Sequence, residues 1–355
     1  MTSLYYSNIK DRLIENAVYH PLSNQSRIVI FSDLHMGDGR SHDDFARNSD
    51  LFLSILGDYY LERDFTLILN GDVEELQKFQ LPRVQKRWRE VYLLFDQFHR
   101  RERLYKIAGN HDFKLLTFSP AAEFSYPLLE SVRLGYHGQD LLVFHGHQMS
   151  AAYEQFNAFI GVMLRFVANT LRIRNRSTAH SSHRRWKIES RTYDFSRNHK
   201  MISIIGHTHR PLFESMAKTD VLRYEIENLC RLYASGEFRG HADVEKRIYE
   251  LKEELTEILE NGHEEGFVSQ LYSSNFLIPC LFNSGSVIGK RGVTGLEIVG
   301  DTISLVHWQR ENTPARYSQK GEDFLTPLEN NPGIQRRVTK QDDLRYIFSR
   351  IRLLG

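Results

Sequence analysis

The sequence predicts a layered α/β fold in which several strands end at one shared site. Two observations support this prediction. Five short apolar runs have the character of strands, and each is followed within two residues by Asp, Asn or His. Between residues 27 and 150 these runs alternate with helix-like segments, as is typical of layered α/β domains. Because open α/β sheets bind ligands at the carboxyl ends of their strands, we expect these polar residues to meet there.

The predicted elements follow one another along the chain. The five strands are placed at residues 27–31, 65–69, 105–108, 141–144 and 201–205. Helices are predicted at 43–60 and 81–103, and Pro82 favours a helix start in the second. Three later strands are placed at 276–281, 295–298 and 302–308. We expect a catalytic domain over residues 1–310 and a polar C-terminal tail over residues 311–355.

Two stretches of opposite charge interrupt this series of strands. Residues 151–210 contain eleven Lys or Arg and three Asp or Glu, whereas residues 211–270 contain seven and fourteen. We interpret 151–200 as a helical, lid-like insertion and 211–270 as a second helical insertion. Apolar residues at helical spacing from Val244 to Leu259 predict an amphipathic helix in the second insertion, with Gly262 as its C-cap.

The bulk composition narrows the class of protein. Of the 355 residues, 41% are hydrophobic and 26% are charged, which are ordinary values for a globular protein. The net charge of +1 predicts no global attraction to nucleic acid or acidic membranes. Two cysteines, Cys230 and Cys280, favour a reducing compartment over a disulfide framework. Because we find neither a transmembrane stretch nor a secretory signal, we expect a cytoplasmic protein with at most peripheral membrane contact.

The residues that follow the five strands have the chemistry of metal ligands. They are Asp33, His35, Asp72, Asn110, His111, Asp112, His145, His147, His207 and His209. Asp33 and His35 are at positions i and i+2, so in extended backbone their side chains project to the same side, and the same holds for His207 and His209. Mixed carboxylate and imidazole groups suit Mn, Fe, Zn or Co better than Ca or Mg. Two such ions, ~3.5–4 Å apart, can hold a phosphoryl group for in-line displacement.

The order and type of these motifs resemble those of the calcineurin-like metallophosphoesterase superfamily. The motifs are Asp33-Leu34-His35, Gly71-Asp72, Gly109-Asn110-His111-Asp112, His145-Gly146-His147 and Gly206-His207-Thr208-His209. The resemblance implies a β-sandwich flanked by helices, in four layers of the order α/β/β/α. It also implies a metal-dependent hydrolase of phosphomonoesters or phosphodiesters that binds two divalent transition-metal ions, with manganese expected first and Fe, Zn or Co as alternatives.

The same resemblance implies a role for each motif residue. One ion would be bound by Asp33, His35, Asp72 and His209, and the other by Asp72, Asn110, His145 and His207. Asp72 would bridge the two ions, and a hydroxide shared by them would attack phosphorus. His111 would donate a proton to the leaving oxygen, and Asp112 would orient His111.

The substrate stays open on the sequence alone. Residues 31–37 and 71–76 are similar to the branch that contains UDP-2,3-diacylglucosamine pyrophosphatases, which cleave a lipid-linked pyrophosphate beneath a helical lid. That branch has Arg at the position of His111 and Asp at the position of His147, and His111 instead matches phosphatases and phosphodiesterases generally. We expect a phosphorylated small molecule or a lipid-linked substrate, bound in part by Arg184, Arg185 and His147.

Alternative interpretations accompany this expectation. The basic, aromatic stretch could bind nucleic acid, which would make the protein a nuclease, although this is not favoured. Arg184 and Arg185 could also form only a solvated face, and His147 could have only a structural role.

Overall fold

A computed structural model describes residues 11–117, 124, 126–150, 182–215, 218–235, 241–261, 278–311, 313 and 325–355. The strands are β1 (Val18–Pro21), β2 (Arg27–Phe31), β3 (Thr66–Asn70), β4 (Leu104–Ile107), β5 (Leu128–Leu129), β6 (Ser131–Tyr136), β7 (Gln139–Phe144), β8 (Ile202–Ile205), β9 (Leu281–Asn283), β10 (Val293–Val299), β11 (Thr302–Arg310), β12 (Leu325–Leu328) and β13 (Asn331–Asp343). The helices are α1 (Ser49–Ser54), α2 (Leu81–Arg87), α3 (Arg89–Arg100), α4 (Lys114–Thr117), α5 (Ser182–His199), α6 (Lys218–Ser235), α7 (His241–Asn261) and α8 (Leu344–Leu354).

The strands form two sheets. The larger sheet has the order β12-β13-β11-β10-β2-β3-β4-β5, and the smaller one has the order β1-β6-β7-β8-β9. Strands β2 to β5 pair in parallel in the larger sheet, and β7 to β9 pair in parallel in the smaller one. The five predicted strands are therefore divided between the two sheets, three in the larger and two in the smaller.

Alternating side chains pack the two sheets against each other and against the helices. In β2, Ile28 and Ile30 belong to the core between the sheets, together with Val143 of β7 and Ile204 of β8. The intervening Val29 and Phe31 belong to a second core with side chains of α1 to α3. A third core joins Phe144 and Ile205 of the smaller sheet to Ile188 and Phe195 of α5. This alternation confirms the prediction of two sheets flanked by helices.

The predicted helices are present but divided. The segment predicted at 43–60 contains a 3₁₀ turn (Phe45–Arg47), α1, and a wide π-type segment (Ile55–Leu61). The segment predicted at 81–103 is interrupted at Trp88, whose indole N–H lies 3.0 Å from the Gly37 carbonyl oxygen and 3.0 Å from Asp43 Oδ2. Trp88 thus ties the helix break to the loop that follows β2.

The described parts of the two insertions are helical except at residues 200 and 211–215. Helix α5 covers the second part of the 151–200 insertion, while residues 151–181 lie outside the described residues. The 211–270 insertion contains α6 and α7, and α7 includes the predicted amphipathic helix. Gly262 lies outside the described residues. Among the helices that are described, none has both the length and the apolar character needed to cross a lipid bilayer.

The prediction of a polar tail over residues 311–355 is wrong for residues 325–355. Strand β13 pairs with β11 and β12, and α8 buries Ile347, Phe348 and Ile351 in the core between the sheets. The polar sequence of β13 did not indicate a strand. In the fold, its Arg336 is paired with the buried Glu297 of β10, Nη2 to Oε2 at 2.5 Å. Because the charge of Arg336 is paired, this residue can lie in a strand although its type suggests an exposed position.

Candidate metal centre

The carboxyl ends of the two sheets meet at a hydrogen-bonded seam. Ser32, after β2, lies 2.8 Å from Ser284, after β9, oxygen to oxygen. Between β3 and β7, Nδ1 of His145 lies 2.8 Å from the carbonyl oxygen of Asn70. The backbone N–H of Gly206 donates to the carbonyl of His145 at 3.0 Å. The seam brings the loops after β2, β3, β7 and β8 together, as the sequence predicts.

The backbone of these loops differs from the extended geometry that the sequence predicts. Asp33, His35, Asp72, His207 and His209 all have positive φ, between 47° and 60°. Residues other than glycine rarely adopt this left-handed conformation, which costs of order 1–3 kcal/mol and concentrates at functional sites. Within each i, i+2 pair, side-chain direction is therefore set by tight left-handed turns.

Two glycines make room for these turns. Gly71 itself has a φ of 82°, and a methyl group in place of its hydrogen would lie 2.4 Å from Nδ1 of His145. A methyl group on Gly109 would lie 2.2 Å from Oδ1 of Asp72. Any side chain at either position would displace a candidate ligand, so the Gly-Asp and Gly-Asn motifs need glycine for space.

The first cluster contains Asp33, His35 and His209. Nε2 of His209 lies 3.0 Å from Oδ1 of Asp33, and Nε2 of His35 lies 3.9 Å from the same oxygen. The two imidazole nitrogens are 3.2 Å apart. Three potential ligand atoms thus converge from the loops after β2 and β8.

The second cluster contains Asp72, His145 and His207. Nε2 of His145 lies 3.2 Å from Oδ2 of Asp72, and the ring centroids of His145 and His207 are 5.1 Å apart. The same Asp72 oxygen is 3.9 Å from Nε2 of His35 in the first cluster. Asp72 therefore lies between the two clusters, as a bridging ligand would.

The side chains of the two clusters, together with Asn110 in the loop after β4, fit divalent cations. Oδ1 of Asn110 and Nδ1 of His207 are shielded from solvent and have no hydrogen-bond partner among the described residues. Leaving a buried polar atom unpaired costs about 1–3 kcal/mol, so a bound cation would satisfy atoms that the protein does not. Carboxylate, amide and imidazole donors together suit transition metals such as Mn, Fe, Zn or Co.

Burial and neighbouring charges shift the pKa values of the carboxylates and imidazoles in the two clusters. Burial raises the pKa of Asp33, but the charge and hydrogen bond of His209 outweigh it and lower the pKa to about 2. Burial lowers the pKa of His145, but Asp72 outweighs it and raises the pKa to about 9. Burial lowers the pKa of His207 to about 3, so this imidazole is neutral near pH 7.

His111 lies at the edge of the clusters, and Glu75 contacts its ring. Nδ1 of His111 is 2.8 Å from Oε1 of Glu75, while Nδ1 of His35 is 3.2 Å from Oε2 of the same carboxylate. Burial lowers the pKa of His111, but the charge of Asp72 and the hydrogen bond with Glu75 raise it to about 9. Glu75 was missed in the sequence because it stands in a Glu74-Glu75 pair whose members cannot be told apart by type.

Asp112 has a different contact from the one predicted. Its Oδ2 accepts a hydrogen bond from the backbone N–H of Val73 at 2.8 Å, and its Oδ1 accepts one from that of Gly109 at 2.5 Å. It therefore holds the loops after β3 and β4 together, and the contact with the His111 ring comes from Glu75.

A buried ion pair supports the same two loops from behind. Nζ of Lys106, on β4, lies 2.5 Å from Oε1 of Glu74, and both side chains are fully buried. The Tyr92 hydroxyl donates to the same Glu74 oxygen at 2.8 Å, and Lys106 Nζ lies 4.1 Å from the centroid of the Phe124 ring. The pair fixes the loop that carries Asp72 against the strand that leads to Asn110.

The residues predicted to bind substrate differ in their burial and surroundings. His147 is buried, and its ring centroid is 5.4 Å from that of His145. Arg184 is exposed and Arg185 is partly buried, both in the first turns of α5. Burial raises the pKa of Glu189, and the positive charges of Arg210 and Arg185 partly oppose this rise. Glu189 in turn contacts the loop after β8.

Comparisons with known proteins agree with this arrangement. Among solved structures, the chain is similar to a conserved uncharacterized protein from Streptococcus pneumoniae that is described as a predicted phosphoesterase. The identity is 12%, over 79% of this chain and 89% of that one, with a TM-score of 0.30. Similarity at this level adds nothing to the assignment, and no curated protein gives a significant match. A family model described as calcineurin-like phosphoesterase matches residues 26–211, just over half of the chain. The chain therefore belongs to the calcineurin-like phosphoesterase family.

Proposed function

We propose that this protein hydrolyses phosphate esters at a centre of two divalent metal ions. The observation that carries the proposal is the position of Asp72 between the Asp33–His35–His209 cluster and the Asp72–His145–His207 cluster. Asp33, His35, Asp72 and His209 would hold one ion, and Asp72, Asn110, His145 and His207 the other. When bound, such ions polarise phosphoryl oxygens and bring the pKa of water toward neutrality.

The residues around the ions would orient the reaction. His111 would donate a proton from Nε2 to the leaving oxygen, because its Nδ1 is engaged by Glu75. Glu75 would fix the rings of His35 and His111 together, since each contacts one of its oxygens. A carboxylate that is hydrogen-bonded to one ring nitrogen of a histidine sets the tautomer and the orientation of that histidine. His111 also favours a phosphoester over the pyrophosphate of the lipid-linked branch, which carries Arg at this position.

A substrate screen tests the proposal. The protein would be stripped of metal, reconstituted separately with Mn²⁺, Zn²⁺, Fe²⁺ or Co²⁺, and assayed against phosphomonoesters, phosphodiesters, UDP-sugars and oligonucleotides. We expect hydrolysis of phosphate esters that chelation abolishes and added metal restores. Folded, reconstituted protein that cleaves none of these classes would contradict the proposal.

Glu75→Gln is predicted to move the alkaline limb of the pH profile to lower pH. Glu75 raises the pKa of His111, so its loss lowers that pKa. A proton donor must be protonated, so it is active at pH values below its pKa. Because the pKa of His111 is lower in the variant, activity should fall at a lower pH than in the wild type. The profiles of kcat/KM for the variant and the wild type measure the shift. Glu90→Gln, on the exposed side of α3, is the matched control. An unchanged alkaline limb with a uniform loss of rate would contradict the role of Glu75.

Replacing Arg184 and Arg185 with Ser is predicted to raise KM for the physiological substrate and to spare a small chromogenic ester. Arginine matches phosphate oxygens with its planar fork and keeps its charge, which suits binding of a second phosphate beside the centre. Arg197→Ser, an exposed position on the same helix, is the control. If KM is unchanged for every substrate that the screen identifies, these arginines do not bind substrate.

A further inference from the structure

The loop after β8 holds a backbone conformation that its own residues do not favour. His207 and His209 have φ values of 60° and 55°, in the left-handed region. Such a conformation persists in residues other than glycine only where surrounding contacts impose it. The two residues would serve different ions, so the contacts that hold this loop set the positions of both imidazoles.

One carboxylate, that of Glu189 on α5, holds the loop on either side of His209. The Thr208 hydroxyl donates to Oε1 of Glu189 at 2.8 Å, and Nη2 of Arg210 donates to Oε2 at 2.7 Å. Thr208 is fully buried, and its hydroxyl also accepts from Nδ2 of Asn283 at 2.9 Å. Thr208 is therefore held from two sides, by α5 and by the turn after β9.

Contacts with the smaller sheet and with the turn after β7 fix the position of α5, which carries Glu189. Phe195 packs in the core against the smaller sheet, and the Ser196 hydroxyl donates to that of Ser203 on β8 at 2.7 Å. On the same helix, Arg191 donates through Nη1 to the carbonyl of Met149 at 3.0 Å, in the turn after β7. The helix thus contacts the loops that follow β7 and β8, which carry His145, His207 and His209.

The burial of Glu189 argues against a packing role alone. Its exposed fraction is 1%. Removing a carboxylate from water is costly, and an apolar side chain of similar volume would often pack as well or better. A buried carboxylate is retained where its directed hydrogen bonds matter, and both of its oxygens here are directed at the residues that flank His209.

We propose that Glu189 is a positioning residue that holds His207 and His209 in the geometry required for metal binding. It acts through Thr208 and Arg210, and it couples α5 to the metal centre. This inference rests on the proposed binding of metal by His207 and His209.

Binding of Mn²⁺ to the full-length protein tests the proposal without reference to turnover. Dissociation constants would be measured by calorimetry and by electron paramagnetic resonance of free Mn²⁺, and thermal unfolding midpoints would be recorded alongside. The variants are Glu189→Ala, Glu189→Gln and Asp194→Ala. Asp194 is an acidic residue on the same helix with 55% of its side chain exposed, and it serves as the control.

We expect Glu189→Ala to bind Mn²⁺ more weakly by roughly 10- to 100-fold, the usual loss when a group that supports a metal ligand is removed. Glu189→Gln should lose less, because its amide oxygen can still accept from Thr208. Asp194→Ala should bind like the wild type. In Glu189→Ala, the Mn²⁺ concentration needed for half-maximal turnover should rise while kcat at saturating Mn²⁺ stays close to the wild-type value.

Three outcomes would overturn the proposal. They are Mn²⁺ affinity of Glu189→Ala within about two-fold of the wild type, an equal loss in Asp194→Ala, and a lower kcat that saturating Mn²⁺ does not restore. If Glu189→Ala does not fold, Thr208→Val keeps Glu189 in place and removes the hydroxyl that contacts Glu189 and Asn283, and it should also bind Mn²⁺ more weakly than the wild type. The Thr208→Val/Glu189→Gln double variant should then bind more weakly than either single variant, since Thr208→Val removes the hydroxyl contact with Glu189 and Glu189→Gln removes the charge that pairs with Arg210. A wild-type protein that binds no Mn²⁺ would overturn the proposed function, which is a separate result.

Discussion

Asp72→Asn is expected to lose both metal ions and, with them, hydrolysis of phosphate esters. The side-chain oxygen Oδ2 of Asp72 lies 3.2 Å from His145 and 3.9 Å from His35, so one carboxylate serves both clusters. Burial raises the pKa of Asp72, but His145 and His111 outweigh it and hold the pKa well below its usual range. Asparagine is nearly isosteric and can still accept the hydrogen bond from the His111 backbone N–H. The change therefore removes mainly the shared negative charge.

Metal binding and turnover measure the consequence of Asp72→Asn. Loss of a group that only supports a ligand typically costs about 10- to 100-fold in affinity, so loss of a bridging ligand should cost more than about 100-fold. Asp194→Asn, at an exposed position on α5, makes the same chemical change away from the centre and should leave binding unchanged. An Asp72→Asn protein that retains two tightly bound ions would show that Asp72 is not the bridge.

His111→Asn has the second largest expected effect, and it should fall on turnover and not on metal content. His111 contacts Glu75 through Nδ1, and its Nε2 lies 3.9 Å from Oδ2 of Asp72. Proton donation typically contributes roughly 10²- to 10⁴-fold to a rate, and least where the leaving oxygen is already a good leaving group. We therefore expect a large loss of kcat/KM for alkyl phosphate esters and a small one for p-nitrophenyl esters.

The matched control for this variant is His137→Asn. His137 is exposed in the turn between β6 and β7 and has a φ of 47°, a conformation that asparagine tolerates well. The His137→Asn protein should retain full activity toward both ester types. Equal losses for p-nitrophenyl and alkyl esters in His111→Asn would contradict the role of proton donor.

The candidate ligands could be predicted from sequence because each follows a short apolar strand. Strands such as β3, whose five residues are all buried, appear in the sequence as apolar runs, and the polar residue after each run marks the edge of the sheet. The order of the motifs then indicated which side chains would meet. What the sequence did not predict was the backbone at these positions, since φ near 50° at Asp33 and Asp72 arises from contacts between loops that are distant in sequence.

Residues whose charge is cancelled by a distant partner were the hardest to predict. Glu75 faces two histidines, whereas Glu74, the neighbouring residue of the same type, faces Lys106. Only the fold separates these two roles. Arg336 likewise gave β13 the appearance of a polar tail, although its partner Glu297 lies 39 residues away along the chain, on β10. In both cases the role of the residue depends on its partner in the fold and not on its residue type.

The number of metal ions bound by the wild-type protein is the most direct test of the proposed two-metal centre. The protein would be stripped with a chelator, reconstituted with Mn²⁺, freed of excess metal by gel filtration, and measured by elemental analysis against protein concentration. Circular dichroism before and after would verify that the fold is intact. We expect two ions per chain, one in each cluster with Asp72 shared between them. One ion or none bound to the folded protein would contradict it.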